Sequence, residues 1–307
     1  MYIYSILELV GNTPLLKLNN ICQKYNLKAN IYAKLEYLNP TGSVKDRTAF
    51  YIIDQAEKQG LLKKGATIIE ATSGNTGIGL AMASKVKGYK LILTMPSSMS
   101  IERQKILKAY GAEIVLTDSD KGMQGSIEKA QELNSQIKGS IIANQFTTSA
   151  NVLAHYETTG KEIYQALDGK VDVFVSTIGT AGTLIGTAKY LKEKNNNVKV
   201  YGVEPSSSPL LTKGYSGSHK IQGIGANFVP PLYSEKYCDK IFTCSDIDSI
   251  KYAKEIAKTE GFLAGFSSGA SLSVAIDLAK MQENANKNIV VIFPDSGDRY
   301  YSTEIFE

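Results

Sequence analysis

Lys45 is the residue of this chain whose sequence neighbours most strongly suggest a catalytic side chain. It lies in the run NPTGSVKDR (39–47), where turn-forming residues precede a stretch, 48–59, whose apolar positions repeat with helical spacing. Its amine is therefore expected where a loop enters a helix. A lone lysine at such a place is most often an ordinary solvated side chain of a capping turn. Four other segments of the chain argue against that interpretation.

Two strand–loop–helix units could each bind an anion. In one, the Gly/Ser/Thr/Asn loop 72–77 joins a predicted strand to a helix, and in the other the small-residue turn 179–183 does so. Such loops offer backbone N–H groups and hydroxyls at the positive end of a helix dipole, which suits a carboxylate or a phosphate. Tight strand-to-helix turns of any α/β protein also use Gly and Ser. Each loop taken alone could therefore equally well be an ordinary turn that binds no anion.

The last two segments are apolar runs interrupted by glycine, KIQGIGANF (220–228) and GFLAGFSSGAS (261–271). In the second run, Ser267 and Ser268 come just before a helix predicted at 269–279. A hydroxyl at this place commonly caps a helix, so capping is one interpretation of the serine pair. The other is that one of the two hydroxyls binds a ligand.

The motifs together resemble the cysteine synthase (O-acetylserine sulfhydrylase) group of pyridoxal-phosphate enzymes. This group shares its fold, the tryptophan synthase β-like fold type II, and its mechanism with cystathionine β-synthase. The resemblance runs nearly end to end, through GNTPLLKL, NPTGSVKDR, TSGNTGIGLA, MPSSMSIERQKILKAYGAEIVLT, NQF, AHYETTGKEI, GTAGT, VEPSSSPLL, HKIQGIGANF, GFSSGAS and PDSGDRYYST.

The resemblance implies a role for each part of the site. Lys45 matches the lysine that forms the Schiff base with pyridoxal 5′-phosphate, and partial burial would favour the free amine that this bond requires. The released amine would remove the substrate's α-proton. Asn75 matches the partner of the cofactor's phenolic oxygen, and Ser267 that of its pyridine nitrogen. The phosphate would lie at a helix N-terminus, on Gly179, Thr180, Ala181, Gly182 and Thr183.

The substrate carboxylate would be bound by four polar residues, Thr72, Ser73, Thr76 and Gln145, with Gly223 and Asn227 also facing the substrate. A hydroxyl opposite the pyridine nitrogen does not hold that nitrogen protonated as a carboxylate would, so loss of a β-leaving group is favoured over transamination. The resemblance thus implies an aminoacrylate intermediate that a nucleophile attacks at Cβ.

Two positions depart from the family pattern. Ala181 replaces the middle glycine of the usual GTGGT, which is tolerated if the φ angle of Ala181 is negative. Asn227 stands where the usual cysteine synthase has glycine, whereas cystathionine β-synthases carry an acid there. An asparagine adds a donor and an acceptor that could orient a nucleophile or a leaving thiol. Alternatively, Asn227 only occupies a left-handed or turn conformation.

Composition narrows the class of protein. The 307 residues are 43% hydrophobic and 21% charged, which suits a large core and about two domains. A formal charge of +4 with dispersed lysines argues against nucleic-acid binding. No apolar stretch reaches the roughly 20 residues that span a bilayer, and the start lacks a signal-peptide pattern, so a cytoplasmic protein is expected. The three cysteines lack CxxC spacing and predict neither disulfides nor a metal site.

Short Val/Ile-rich strands alternate with amphipathic helices, which predicts an α/β protein with parallel-rich twisted sheets. The main strands are expected at 67–71, 90–95, 114–117, 171–176, 198–203 and 288–293, and the helices that follow the loops at 48–59, 78–87, 184–192 and 269–279.

The resemblance further implies two three-layer domains with the cofactor in the cleft between them. A smaller domain, 1–12 with 36–150, would carry Lys45 and the carboxylate loop. A larger one, 13–35 with 151–307, would carry the phosphate loop and Ser267.

Three functions remain as hypotheses. The first is cysteine synthesis from O-acetyl-L-serine and sulfide. The second is the same chemistry from L-cysteine, which releases hydrogen sulfide and forms lanthionine, serine or cystathionine. The third, a catalytically idle binding protein, is disfavoured because Lys45, Asn75, Gln145 and Ser267 are all retained. The family also implies a homodimer and suggests serine acetyltransferase as a partner.

Overall fold

The computed structural model describes residues 2–307. Its strands are β1 (Leu15–Lys17), β2 (Asn30–Leu35), β3 (Thr67–Ala71), β4 (Lys90–Pro96), β5 (Glu113–Thr117), β6 (Ile141–Ile142), β7 (Val173–Thr177), β8 (Lys199–Pro205), β9 (Lys240–Cys244) and β10 (Asn288–Phe293). Its α-helices are α1 (Asn19–Lys24), α2 (Lys45–Lys58), α3 (Asn75–Lys87), α4 (Ile101–Ala109), α5 (Gly122–Gln136), α6 (Ser149–Ala154), α7 (Lys161–Ala166), α8 (Gly182–Lys194), α9 (Leu210–Lys213), α10 (Asp246–Glu260) and α11 (Phe266–Lys280).

The chain divides into two compact units. The first unit is the chain up to Val10 together with Asn39–Asn151, and the second is Gly11–Leu38 together with Val152–Glu307. Within the described chain, no α-helix is at once long and apolar enough to cross a membrane.

The first unit is built on a parallel four-stranded sheet in the order β5-β4-β3-β6. Strands β3 and β4 are buried at nearly every position, because helices cover both faces of the sheet. Their near-continuous apolar sequences, TIIEA and LILTM, match this environment. The core centres on Ile68, Leu80 and Leu93, each fully buried.

The second unit is built on a six-stranded sheet in the order β1-β2-β10-β7-β8-β9. Only β1 among these strands runs antiparallel to its neighbour. Phe174 and Phe293 are fully buried, one in each of the two apolar clusters of this unit. In both units the loops that matter here follow the carboxyl end of a central parallel strand, which is where α/β proteins bind ligands.

The predicted fold class is confirmed, and the boundaries show one systematic difference. Strands β3 and β10 begin and end as predicted, but α2, α3 and α11 each begin three residues earlier than predicted. Apart from Phe266 and Ile78, their first turns consist of polar and small residues, without apolar periodicity. Such residues fit a first turn, because its N–H groups have no intrahelical acceptor. Consequently several predicted site residues lie in the first turns of helices rather than in loops.

Candidate active site

Lys45 is the first residue of α2. It follows a turn that is stabilised by hydrogen bonds among the residues beside it. The Asp46 carboxylate accepts the backbone N–H of Thr41 at 2.6 Å and also the Thr41 hydroxyl. The backbone N–H of Lys45 donates to Ser43 Oγ at 3.3 Å. Lys45 is half-buried, whereas Asp46 is fully buried. The turn therefore fixes the backbone from which the lysine projects and leaves the lysine itself partly accessible.

A glycine of α3 lets the start of α2 come close. A Cβ atom added to Gly79 would lie 3.0 Å from the carbonyl oxygen of Lys45, which is tighter than most Cβ contacts, so a larger residue would require the two helices to shift by a few tenths of an ångström. Asn75, the first residue of α3, lies one turn before Gly79 and is half-buried. The structure thus places Lys45 and Asn75 at the starts of two helices in contact.

The predicted carboxylate-binding residues surround the start of α3. The Thr72 N–H donates to the carbonyl of Thr94 at 3.1 Å, and the Thr72 hydroxyl accepts the N–H of Gly74 at 3.3 Å. The Thr76 hydroxyl donates to Gln145 Oε1 at 2.6 Å. Thr76 and Gln145 are distant in sequence, and the structure brings them together. Ser73 is half-buried in the same loop.

The predicted phosphate loop lies between β7 and α8 of the second unit. A Cβ atom on Gly179 would lie 2.6 Å from the carbonyl oxygen of Gly223, and the N–H of Gly225 donates to the carbonyl of Ile178 at 3.2 Å. The GIGAN segment, which carries Gly223 and Asn227, is therefore packed directly on the loop. The Thr180 hydroxyl accepts the N–H of Gly182 at 3.3 Å and shapes the entry into α8.

Ala181 does not meet the condition under which it was expected to be tolerated. Its φ is +67°, in the left-handed region, and it is buried. The other described residues with positive φ are glycine, asparagine or aspartate. The fold therefore keeps a left-handed backbone that glycine would adopt freely and imposes it on an alanine, at a cost of about 1–2 kcal/mol.

His155 is a residue of this site that sequence reasoning missed. It lies in a π-helical turn, His155–Gly160, and is fully buried. Its Nε2 is 3.1 Å from the Thr183 hydroxyl, and its Nδ1 is 2.9 Å from the Thr159 hydroxyl. Such π-helical turns are rare and often lie at functional sites. In the sequence, the AHYETTG motif (154–160) was the signal that could have pointed to His155. The histidine orients a hydroxyl of the predicted phosphate loop.

Neither Ser267 nor Ser268 caps α11, so that interpretation was wrong. The N-cap is Gly265, which makes Ser267 and Ser268 the second and third residues of the helix. The Ser268 hydroxyl is completely enclosed and has no partner among the described residues, whereas Ser267 keeps 4% exposure. Of the two, Ser267 is the one whose side chain a ligand could reach.

Asn227 is exposed and lies in a bend. Its φ is not among the positive values of the described residues, so the left-handed explanation of this asparagine was wrong. The turn explanation and the functional one both remain, and exposure leaves the Asn227 amide available to a ligand.

Glu70 is a second residue that the sequence analysis missed. It is the fourth residue of β3, only 4% exposed, and accepts the backbone N–H groups of Asn144 at 2.8 Å and Gln145 at 3.3 Å. Burial raises the pKa of Glu70 to about 7, although these N–H groups and the Gln145 side chain act in the opposite direction. An acid inside a buried strand, two residues before the predicted carboxylate-binding loop, was the available signal.

Parallel-sheet α/β units with an amine and polar loops at helix starts are the arrangement expected of an α/β enzyme that binds an anionic cofactor. A family model described as "Pyridoxal-phosphate dependent enzyme" matches residues 6–295. The chain belongs to this family, and its cofactor is pyridoxal phosphate. The resemblance to cysteine synthases seen in the motifs is confirmed by the relatives.

Three relatives illustrate the similarity. A cysteine synthase of Staphylococcus aureus (strain N315) is 44% identical over 303 residues, 98% of this chain and 96% of the relative. The crystal structure of a cysteine synthase from Entamoeba histolytica, 44% identical, matches with a TM-score of 0.97 over 100% of this chain and 91% of that one. A hydrogen sulfide-producing enzyme from Fusobacterium nucleatum is 49% identical, with a TM-score of 0.93 over 98% of both chains.

The residues present fit pyridoxal phosphate. The start of α8 combines two glycines with backbone N–H groups that can face an anion, and Thr183 is oriented by His155. Ser267 supplies a neutral hydroxyl at the start of α11, and Lys45 supplies an amine at the start of α2.

Proposed function

We propose that this protein catalyses β-replacement on O-acetyl-L-serine, with sulfide as nucleophile and L-cysteine and acetate as products. The observation that carries the proposal is the grouping of Lys45, Asn75 and the Thr76–Gln145 hydrogen bond around the start of α3. Amine, amide and hydroxyl groups there provide what an amino acid substrate requires at its α-proton and carboxylate. The similarity to cysteine synthases along nearly the whole chain supports the same assignment.

Bound pyridoxal phosphate supplies an aldehyde for the substrate's amine and a conjugated ring that stabilises negative charge at Cα. Lys45 would hold the cofactor through its Nζ, and its free amine would take the substrate's α-proton as general base. Departure of acetate from Cβ follows loss of that proton. Lys45 then returns a proton to Cα after sulfide has added to Cβ.

The remaining residues bind and orient. Gly179 to Thr183 hold the phosphate with backbone N–H groups and hydroxyls at the start of α8. Asn75 would donate to the cofactor's phenolic oxygen without adding charge, and Ser267 would hydrogen-bond its pyridine nitrogen. The segment Thr72–Thr76 and Gln145 would bind the substrate carboxylate. Gly223 and Asn227 would also contact the substrate.

L-Cysteine as substrate is the second candidate. It is favoured by the 49% identity to a hydrogen sulfide-producing enzyme and by the exposed amide of Asn227 on the GIGAN segment. The chemistry is unchanged except that sulfide, rather than acetate, leaves Cβ. A second cysteine, water or homocysteine then adds there and gives lanthionine, serine or cystathionine.

We also propose that the enzyme works as a cytoplasmic homodimer and that a serine acetyltransferase is its partner. Membership of the cysteine synthase group supports the dimer and the partner, because the family resemblance implies both.

The deciding experiment incubates the holoprotein with O-acetylserine plus sulfide and, separately, with cysteine alone. Acetate and cysteine in the first reaction, at a higher kcat/KM than sulfide release in the second, are expected. The reverse order would establish the second candidate. The Lys45→Ala variant should lose both activities by at least about 1,000-fold, since it lacks the general base. Turnover in neither reaction by the wild type, or normal turnover by the variant, would refute the proposal.

A further inference from the structure

The chain turns sharply just before Gln145, and Glu70 lies inside that turn. Strand β6 pairs with β3 through Ile142 opposite Ile69, and the chain then passes Glu70. Asn144 has a φ of +52° and is exposed, whereas Gln145 is only 6% exposed. This left-handed residue directs two successive N–H groups towards one buried carboxylate. Glu70 Oε2 accepts from Asn144, and Oε1 accepts from Gln145.

Further hydrogen bonds fix the backbone carbonyl and the side chain of Gln145. Its carbonyl accepts from Asn151 Nδ2 at 2.8 Å, and Asn151 Oδ1 in turn accepts the Thr48 hydroxyl at 3.1 Å. Thr48 lies one turn after Lys45 on α2. The Gln145 side chain accepts from Thr76 at 2.6 Å, and its amide also hydrogen-bonds Glu70. The position of Gln145 is thus tied to the helices that carry Lys45 and Asn75.

We propose that Glu70 is a positioning residue, which fixes the backbone and the amide of Gln145 so that Gln145 can bind the carboxylate of the amino acid substrate. The inference rests on the proposed function and deepens it. Glu70 acts through Asn144 and Gln145, because their backbone N–H groups and the Gln145 amide are the groups that hydrogen-bond its two oxygens.

The geometry of the position suits the ionised form of Glu70, which predominates above pH 7. Two N–H groups point at two different oxygens, and a carboxylate accepts at both. A glutamine at 70 would offer one acceptor oxygen and would turn its NH₂ group towards the second N–H. Alanine would leave both buried N–H groups without this partner.

A matched control exists in the second unit. Glu204, on β8, is 3% exposed and also accepts two successive backbone N–H groups, from Leu211 at 2.9 Å and Thr212 at 3.0 Å. Glu204→Gln therefore makes the same chemical change at a carboxylate whose N–H partners are Leu211 and Thr212 rather than Gln145, and it separates a general loss of stability from a specific effect on Gln145.

The test uses the holoproteins of wild type, Glu70→Gln, Glu70→Ala and Glu204→Gln. Binding of L-alanine, which has no β-leaving group, is followed by the cofactor's absorbance, and hydrogen exchange is measured for residues 140–150. We expect the Kd for L-alanine to rise about threefold in Glu70→Gln and at least tenfold in Glu70→Ala. Exchange of the 140–150 segment should speed up in the same order, with cofactor affinity unchanged within twofold. In Glu204→Gln the Kd should stay within twofold of wild type.

An unchanged Kd in Glu70→Ala, or an equal rise in Glu204→Gln, would overturn the inference. These readouts do not depend on product formation, so they are distinct from the test of the proposed function. If the reaction proposal failed while L-alanine binding followed the expected order, the positioning role would stand for another amino acid substrate.

Discussion

Gly179→Ala is expected to separate the phosphate loop from the GIGAN segment and to weaken cofactor binding. The added Cβ atom would lie 2.6 Å from the Gly223 carbonyl oxygen, whereas real Cβ atoms essentially never approach closer than 3.0 Å. The two backbones must therefore move apart by at least 0.4 Å. The contact is with backbone and not with the end of a flexible side chain, so no rotamer change can relieve it.

The size of the effect follows from overpacking. Forcing an extra methyl group into a packed region costs about 1–3 kcal/mol. The apparent Tm should fall by about 2–4 °C for each kcal/mol. The loop that moves carries the phosphate-binding N–H groups, and a loss of about 1.4 kcal/mol there weakens the cofactor's Kd tenfold. We therefore expect a tenfold or greater rise in the Kd for pyridoxal phosphate.

Ala181→Gly is the matched control in the same loop. It relieves about 1–2 kcal/mol of left-handed strain. Against this, the greater freedom of glycine in the unfolded chain costs about 0.4–1 kcal/mol, and loss of a buried methyl costs about 0.8 kcal/mol. These contributions nearly cancel, so its free energy of unfolding should stay within about 1 kcal/mol of wild type.

The assays are thermal unfolding of the cofactor-free proteins and titration with pyridoxal phosphate followed by fluorescence. If Gly179→Ala were as stable as wild type and bound the cofactor as tightly, the contact between Gly179 and Gly223 would not constrain the loop. An equal loss in Ala181→Gly would mean that the loop is sensitive to any change, and the steric argument would fail.

Three further predictions concern single residues. Asn227→Gly should shift the ratio of kcat/KM for O-acetylserine to that for cysteine several-fold towards O-acetylserine, because a hydrogen bond of about 0.5–1.5 kcal/mol is lost; an unmoved ratio would make Asn227 only a turn residue. Ser267→Asp should alter the resting absorption spectrum and slow loss of the leaving group, since a carboxylate replaces a neutral partner of the pyridine nitrogen; an unaltered spectrum and rate would show that Ser267 does not face the ring. Burial raises the pKa of Glu70 to about 7, so this residue makes the folded state lose stability as pH rises from about 4.5 to about 7. Glutamine does not titrate, so the free energy of unfolding of Glu70→Gln minus that of wild type should rise by about 2–3 kcal/mol from pH 5 to pH 8 in urea unfolding. A difference that stayed constant with pH would place the pKa of Glu70 near its ordinary value.

The sequence by itself determined the class of fold and the family. The pattern of apolar residues that marks a strand or a helix is contained in a short stretch of sequence. The bounds of β3 and β10 could therefore be predicted to the residue. Turn residues beside Lys45 placed it at a helix entrance, and the structure has it as the first residue of α2. Helix starts were predicted too late because first turns need no apolar repeat.

Only the tertiary structure decided how distant residues meet. The hydrogen bond from Thr76 to Gln145, the contact of Gly179 with Gly223, and the approach of His155 to Thr183 join segments far apart in the chain. No local pattern records such contacts, because they depend on how strands are ordered in the sheets and how closely helices pack. The same holds for Ala181, whose positive φ is imposed by the loop around it against the preference of the residue itself.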